Sequence, residues 1–437
     1  MMTEVGLMTD LAHYIQQTPL MDTHEHLHKE RDYVENGPDV LQHLFMDKYI
    51  TADLVVAGAT PEQVHRLLDS SDPDLAARFS GIRAAWDSCQ HTGYGEAVRL
   101  IAQHIYEMND ITPETLEHAG ERNTKLRQPG ERLRILKEIG NLDHVQVDDF
   151  CWQVCPDDSG LDFFLYDISW WKFCCGVIEP EAIYSETGVE VTGLSSLQRA
   201  MEALFDKYAA FAIAVKSQHA YDRALLWQER PAFAAERVLT RHLSGRPLIE
   251  SERNCLGDWC WARGTELAID YNLPFKLHTG YYADYGQMPV ERIRSGHLCE
   301  LLQKYPSGRF IIMHAAYPNC DELLALAKHY PNVYIDLCWA WSVNPYAMRD
   351  LVRHAIHTVP INKVFAFGGD TFWPGASAAF AIQARQWLTR ALQAEIEDGY
   401  LSEAEAMVVA ERLMRTNQQQ CFDLAGTRAA IRAAASR

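Results

Sequence analysis

Two imidazoles one residue apart carry the first chemical signal in this chain. His24 and His26 stand in Met21-Asp22-Thr23-His24-Glu25-His26-Leu27, directly after the apolar start of a predicted strand at Pro19–Asp22. Side chains two apart on a strand point the same way, so the pair can converge on one ion. Neutral imidazole suits zinc and other first-row metals. Three later apolar runs end in a metal-capable residue: His278 in PFKLHTG, His314 in RFIIMHAAY and Asp370 in VFAFGGD. Their repeated place at strand ends argues against independent coincidence. Gly368 and Gly369 let the backbone approach a ligand closely. A carboxylate at Asp370 can bind a metal and take a proton from water. His28 continues the alternation but falls in the following loop, where it reads as solvated or as support behind the ligands.

The elements that must position these groups follow from the hydrophobic pattern. Apolar runs recur at Pro19–Asp22, Leu142–Val147, Phe163–Ile168, Phe211–Val215, Pro274–Leu277, Phe310–Met313, Val333–Leu337 and Val364–Phe367. Several are apolar at consecutive positions, as expected for parallel strands covered on both faces. With helical stretches such as Ser295–Tyr305 and Cys320–Tyr330 between them, the pattern predicts a (β/α)8 TIM barrel. Residues 28–140 lack strand-like runs and read as a helical cap inserted after the first strand. Arg223–Ala262 reads as a second helical excursion, and Ser402–Leu424 as C-terminal helix on the barrel exterior. The expected organisation is one barrel domain over residues 1–437.

Composition excludes several classes. The hydrophobic share of 48% and charged share of 23% are those of an ordinary globular protein. Acidic residues outnumber basic ones by 59 to 40, a formal charge of −19. That field disfavours nucleic acid and anionic membrane surfaces, while leaving room for a small-molecule substrate held by local cations. The start, MMTEVGLMTDLAHYIQQTPL, lacks the parts of a signal peptide, and apolar stretches fall well short of the about 20 residues that span a bilayer. Eleven cysteines without a CxxC pair point to reduced thiols and a cytoplasmic chain.

DTHEHL at the first strand, HTG at the fifth, MHAAYP at the sixth and GGD at the eighth resemble the amidohydrolase superfamily. The resemblance is to its amidohydrolase-related branch, which includes decarboxylases and the amidohydrolase-like portion of plant and fungal FluG proteins. It spans roughly residues 19–425 and is most specific from Pro274 to Asp370, where YPNVYIDLCWA also matches. The helical region after the first strand is similar to that of uronate isomerases. The resemblance implies a divalent metal on His24, His26, His278 and Asp370, with Asp370 also the proton acceptor and His314 polarising the substrate. Zinc is the default for this set, with manganese or iron as alternatives. Lys216 falls where two-metal members carry a carboxylated lysine. It reads here as a cationic substrate contact beside one metal, together with Tyr221 and Arg223 in SQHAYDR. Family members often self-associate, so a homo-oligomer is compatible with this reading.

The expected activity is hydrolysis, with an activated water attacking a small carboxylated substrate. Decarboxylation or uronate isomerisation on the same metal site is the first alternative. A catalytically inactive binding barrel is the second, and the complete set of five site residues weighs against it. Tyr281, Tyr282, Tyr285, Trp339, Trp341, Phe372 and Trp373 follow the late strands, where they either line a pocket or pack the loops. Trp170 and Trp171 read as structural.

Overall fold

The computed structural model of this protein describes residues 9–46 and 48–436. The eight apolar runs become eight strands: β1 (Leu20–Glu25), β2 (Leu142–Val147), β3 (Phe164–Ser169), β4 (Ala212–Ser217), β5 (Phe275–Leu277), β6 (Phe310–Ile312), β7 (Val333–Asp336) and β8 (Val364–Phe365). They form one sheet in chain order from β1 to β8, with helices in most of the connections. That is the alternation of a (β/α)8 TIM barrel. The first residues, through residue 8, on which part of the leader reading falls, lie outside the described residues. No helix among the described residues is long and apolar enough to cross a membrane. All eleven cysteines are free thiols.

By internal packing the chain divides into two compact units. The first holds the residues up to Val145, with Ala283–Gln287 and Leu337–Gln418. Here β1 runs on past the expected Asp22 to Glu25, because its polar residues find partners instead of ending the strand. Thr23 donates its N–H to the carbonyl of Phe367 (3.1 Å), Asp370 donates to His24 (2.9 Å), and His26 donates to Thr371 (2.9 Å). Between β1 and β2 the described residues hold helices and no strand, from Glu30–Asn36 to Glu131–Arg134. Their starts are chemically marked. Thr60 and Gln63 form a capping box ahead of Pro61, and Asp39 and Gln42 form another. The long helix Pro374–Glu397 buries Arg385, whose guanidinium donates to the carbonyls of Thr18 (3.2 Å), Gly140 (2.8 Å) and Asn141 (2.7 Å).

The second unit holds Gln146–Tyr282, Met288–Asp336 and the residues from Gln419 onward. Strands β3 to β7 pair in parallel, with Phe275 opposite Phe310 and Phe310 opposite Val333. Those three side chains are almost fully buried. Burial of this kind contributes roughly 1.5–3 kcal/mol for each large apolar side chain. Lys216 and Lys276 are register partners, and both are buried. Lys276 donates to both carboxylate oxygens of Asp167 at 2.9 Å. A buried cation on a core strand requires such a counter-charge. Burial pushes the Asp167 carboxyl up to about 6, while Lys276 pulls it back down.

Candidate metal centre

In the first unit, β1 and the turn after β8 bring three ligand-capable side chains to one point. The Nε2 atoms of His24 and His26 are 3.2 Å apart, and they lie 3.1 and 3.3 Å from Asp370 Oδ1. Ligands sharing a tetrahedral ion at bond lengths of 2.0–2.1 Å stand about 3.3 Å from one another. The three atoms therefore form one face of such a coordination shell, and the donor set fits a divalent cation. Asp370 is only 7% exposed, and its backbone is left-handed, with φ of 58°. Strained conformations of this kind persist where the surroundings over-determine them. Here the restraints are the backbone bond from Asp370 to His24 and a hydrogen bond from the Tyr49 hydroxyl to the Asp370 carbonyl.

Two further acids sit behind the histidines. Asp22 accepts the N–H groups of His24 (3.0 Å) and Gly369 (3.3 Å). Glu25 accepts the N–H of Thr371 (2.6 Å) and its hydroxyl (2.9 Å). Burial holds the Glu25 carboxyl up near 7 and Asp22 well above the usual carboxylate range. Asp22 Oδ2 and Glu25 Oε1 have no donor among the described residues. The neighbouring Glu25 further favours the neutral form of Asp22. Gly369 leaves space for this pair, since a Cβ there would lie 2.0 Å from Glu25 Oε1.

In the second unit β5 and β6 end in a histidine pair. His278 Nε2 donates to the Tyr281 carbonyl (3.2 Å), which leaves its Nδ1 to accept from His314 Nε2 (2.8 Å). A carbonyl only accepts, so this bond sets the tautomer of His278. His314 and the two alanines after it are all left-handed, with φ of 59°, 53° and 50°. Tyr221 packs its ring on His278 (4.7 Å between centroids) and stacks on Tyr282 (4.4 Å).

The expected site residues fare differently. His24, His26 and Asp370 converge, as do His278, His314 and Tyr221. Lys216 is fully buried at the end of β4. The structure corrects the expectation for Arg223. Its guanidinium is buried and committed to Asp258 Oδ1 (2.6 Å) and the carbonyls of Leu226 (3.0 Å) and Cys174 (3.2 Å), which makes it a structural anchor. His28 is exposed and bonded to Asp32 (2.8 Å), as expected of a solvated residue. Trp170 is buried and donates to the Cys260 carbonyl (3.1 Å). Asp22, Glu25 and Lys276 were missed as partners. The signal lay in polar residues set inside apolar strand runs.

The family model described as Amidohydrolase matches residues 220–407, a stretch that contains His278, His314 and Asp370. Both this match and a curated relative support the resemblance to the amidohydrolase superfamily. Over 207 residues, 45% of its length, the chain is 26% identical to Protein fluG of Emericella nidulans. It spans 23% of that relative's length. In fold it is similar to uronate isomerase from Thermotoga maritima, with a TM-score of 0.77 and 16% identity over 94% of this chain and 96% of that one. It is also similar to glucuronate isomerase from Caulobacter crescentus, with a TM-score of 0.79 and 14% identity over 95% and 93%. At these identities the likeness is one of architecture.

Proposed function

We propose that this protein is a divalent-metal-dependent enzyme that hydrolyses a small, carboxylated substrate. The observation that supports this most strongly is the triangle of His24, His26 and Asp370. A bound divalent cation, zinc by default, would supply Lewis acidity and acidify water towards about pH 7. Asp370 has a second carboxylate oxygen besides the one facing the imidazoles, and it accepts the proton released by the attacking water. Asp22 and Glu25 hold the backbone amides of His24, Gly369 and Thr371, and so fix the strand end that carries the ligands.

Three assignments rest on the sequence motifs. His278 is a further ligand through Nδ1, which would exchange its bond from His314 for the ion; His314 is then free to donate to the developing oxyanion, and Lys216 with Tyr221 contacts substrate. Isomerisation of a sugar acid is the second reading, favoured by the likeness in fold to two uronate isomerases. Turnover in 18O-labelled water separates the two. Hydrolysis must place solvent oxygen in product, and its absence from every product would move the assignment to isomerisation or decarboxylation. Asp370→Asn is expected to lower turnover by several orders of magnitude while sparing the fold. Near-normal turnover would remove Asp370 from the chemistry. A purified and reconstituted protein without a stoichiometric ion would favour the non-catalytic binding barrel.

A further inference from the structure

Within the first unit, a cavity of about 260 Å³ is lined by His28, Lys48, Tyr49, Phe372 and Trp373 among others. Its floor is aromatic and joins the metal cluster directly. Phe372 stacks on His26 at 5.5 Å and 21°, and Trp373 stacks on His28 at 4.7 Å. One cation stands over that floor, with Lys48 Nζ 5.4 Å from the centroid of Phe372. In a chain with 59 acidic residues against 40 basic ones, Lys48 forms no ion pair among the described residues. His28 differs, because Asp32 already faces it at 2.8 Å.

The turn that presents Lys48 is held in place. Met46 and Lys48 both have left-handed backbones, with φ of 35° and 71°. Side chains other than glycine rarely adopt that conformation unless neighbours enforce it. The neighbours here are Tyr49, whose hydroxyl donates to the Asp370 carbonyl, and Asp284, whose N–H donates to the Lys48 carbonyl (2.8 Å). An exposed lysine on a fixed backbone, with no carboxylate facing it among the described residues and an apolar floor beneath it, suits an anion with a carbon skeleton.

We infer that this cavity is the acid-binding end of the active site: Lys48 takes the carboxylate of a small organic acid whose skeleton lies on Phe372 and Trp373. The reacting group then points towards His26. The inference rests on the proposed function for the position of that reacting group, and it moves the carboxylate contact away from Arg223. A cavity somewhat below the about 300–1,000 Å³ of drug-sized ligands suits a molecule of this class.

The test is calorimetric titration of the full-length, metal-loaded protein with glucuronate against glucose, and with benzoate against benzamide. At least one acid is expected to bind saturably, with its neutral counterpart about tenfold weaker or worse. Lys48→Met should weaken that acid about tenfold or more, and Lys48→Arg should retain most of the affinity. Metal content and melting temperature should stay at the wild-type values in both variants. Acid binding unchanged in Lys48→Met would overturn the inference, as would a wild-type protein that binds neither acid. Metal analysis on the same samples separates the two readings. Lys48-dependent acid binding by protein that takes up no ion would defeat the metal assignment alone. A full ion content with Lys48-independent binding would defeat only the acid site.

Discussion

The Nε2 atoms of His24 and His26 stand 3.2 Å apart, each turned to the same carboxylate oxygen of Asp370. Neither imidazole can leave without opening the face presented to a cation. Even residues that only support a metal ligand change affinity by about 10–100-fold when removed. His26→Ala should therefore weaken metal binding by more than about 100-fold. Competition against a chromophoric chelator measures this, and wild-type affinity in the variant would dissolve the cluster as a metal site.

A second prediction concerns acid sensitivity away from the metal. His43 is buried, accepts the N–H of Gly375 at Nε2 (3.2 Å), and faces the Tyr106 hydroxyl through Nδ1 (3.0 Å). Burial pushes its imidazole down to about 4, whereas an unfolded histidine titrates near 6.5. The native state thus holds the neutral form, and the unfolded state binds the proton first. Stability from this group is complete above pH 6.5 and lost as pH falls towards 4, by up to roughly 3 kcal/mol. Urea melts at both ends of that window should show the loss in wild type and a smaller one in His43→Gln. Equal losses would remove His43 as the cause.

The Asp167–Lys276 pair predicts an asymmetry. Asp167→Asn leaves the buried Lys276 ammonium without its counter-charge, at an expected cost of about 3–5 kcal/mol. Replacing both residues, as Asp167→Leu with Lys276→Met, should recover much of that loss. Denaturant midpoints of the three proteins decide the matter. A double variant no better than the single one would mean that the charges do more than balance each other.

Gly369→Ala should damage the centre without touching a ligand. The new Cβ would meet Glu25 Oε1 at 2.0 Å, and Glu25 holds Thr371, whose carbonyl accepts the N–H of His26. Overpacking of this kind costs roughly 1–3 kcal/mol. A lower melting temperature together with weaker metal binding is expected. A shift in melting temperature alone would show that Glu25 moves independently of His26.

The eight strands were legible because each is a short apolar run covered on both sides, and that burial leaves its mark on consecutive residues. Their ends were less so. The run Val364–Phe367 shortens to Val364–Phe365, where Ala366 donates instead to the Leu413 carbonyl (2.9 Å). Asp22 looked like the end of a strand and proved to be part of one, because burial and the neighbouring Glu25 favour the neutral form of its carboxyl.

The candidate ligands stood out by repetition: one histidine after an apolar run is usually a core or loop residue, but His278, His314 and Asp370 follow three such runs in order. Residues whose role depends on a distant partner did not stand out. Nothing near Arg223 in the sequence announces Asp258, 35 positions later, and Lys276 meets Asp167 across 109. Lys48 sits exposed in a turn of a helical stretch, and only its placement over Phe372 sets it apart from other surface lysines.

The buried guanidinium of Arg385 has one more consequence. By gripping the carbonyls of Thr18, Gly140 and Asn141, it ties the entry to β1 and the approach to β2 at a single knot. An excursion that leaves and rejoins a fixed point can grow or shrink without dragging its ends, because closure entropy rises only with the logarithm of length. The helices between those ends are thus free to change in length and number, with Arg385 keeping their two ends together.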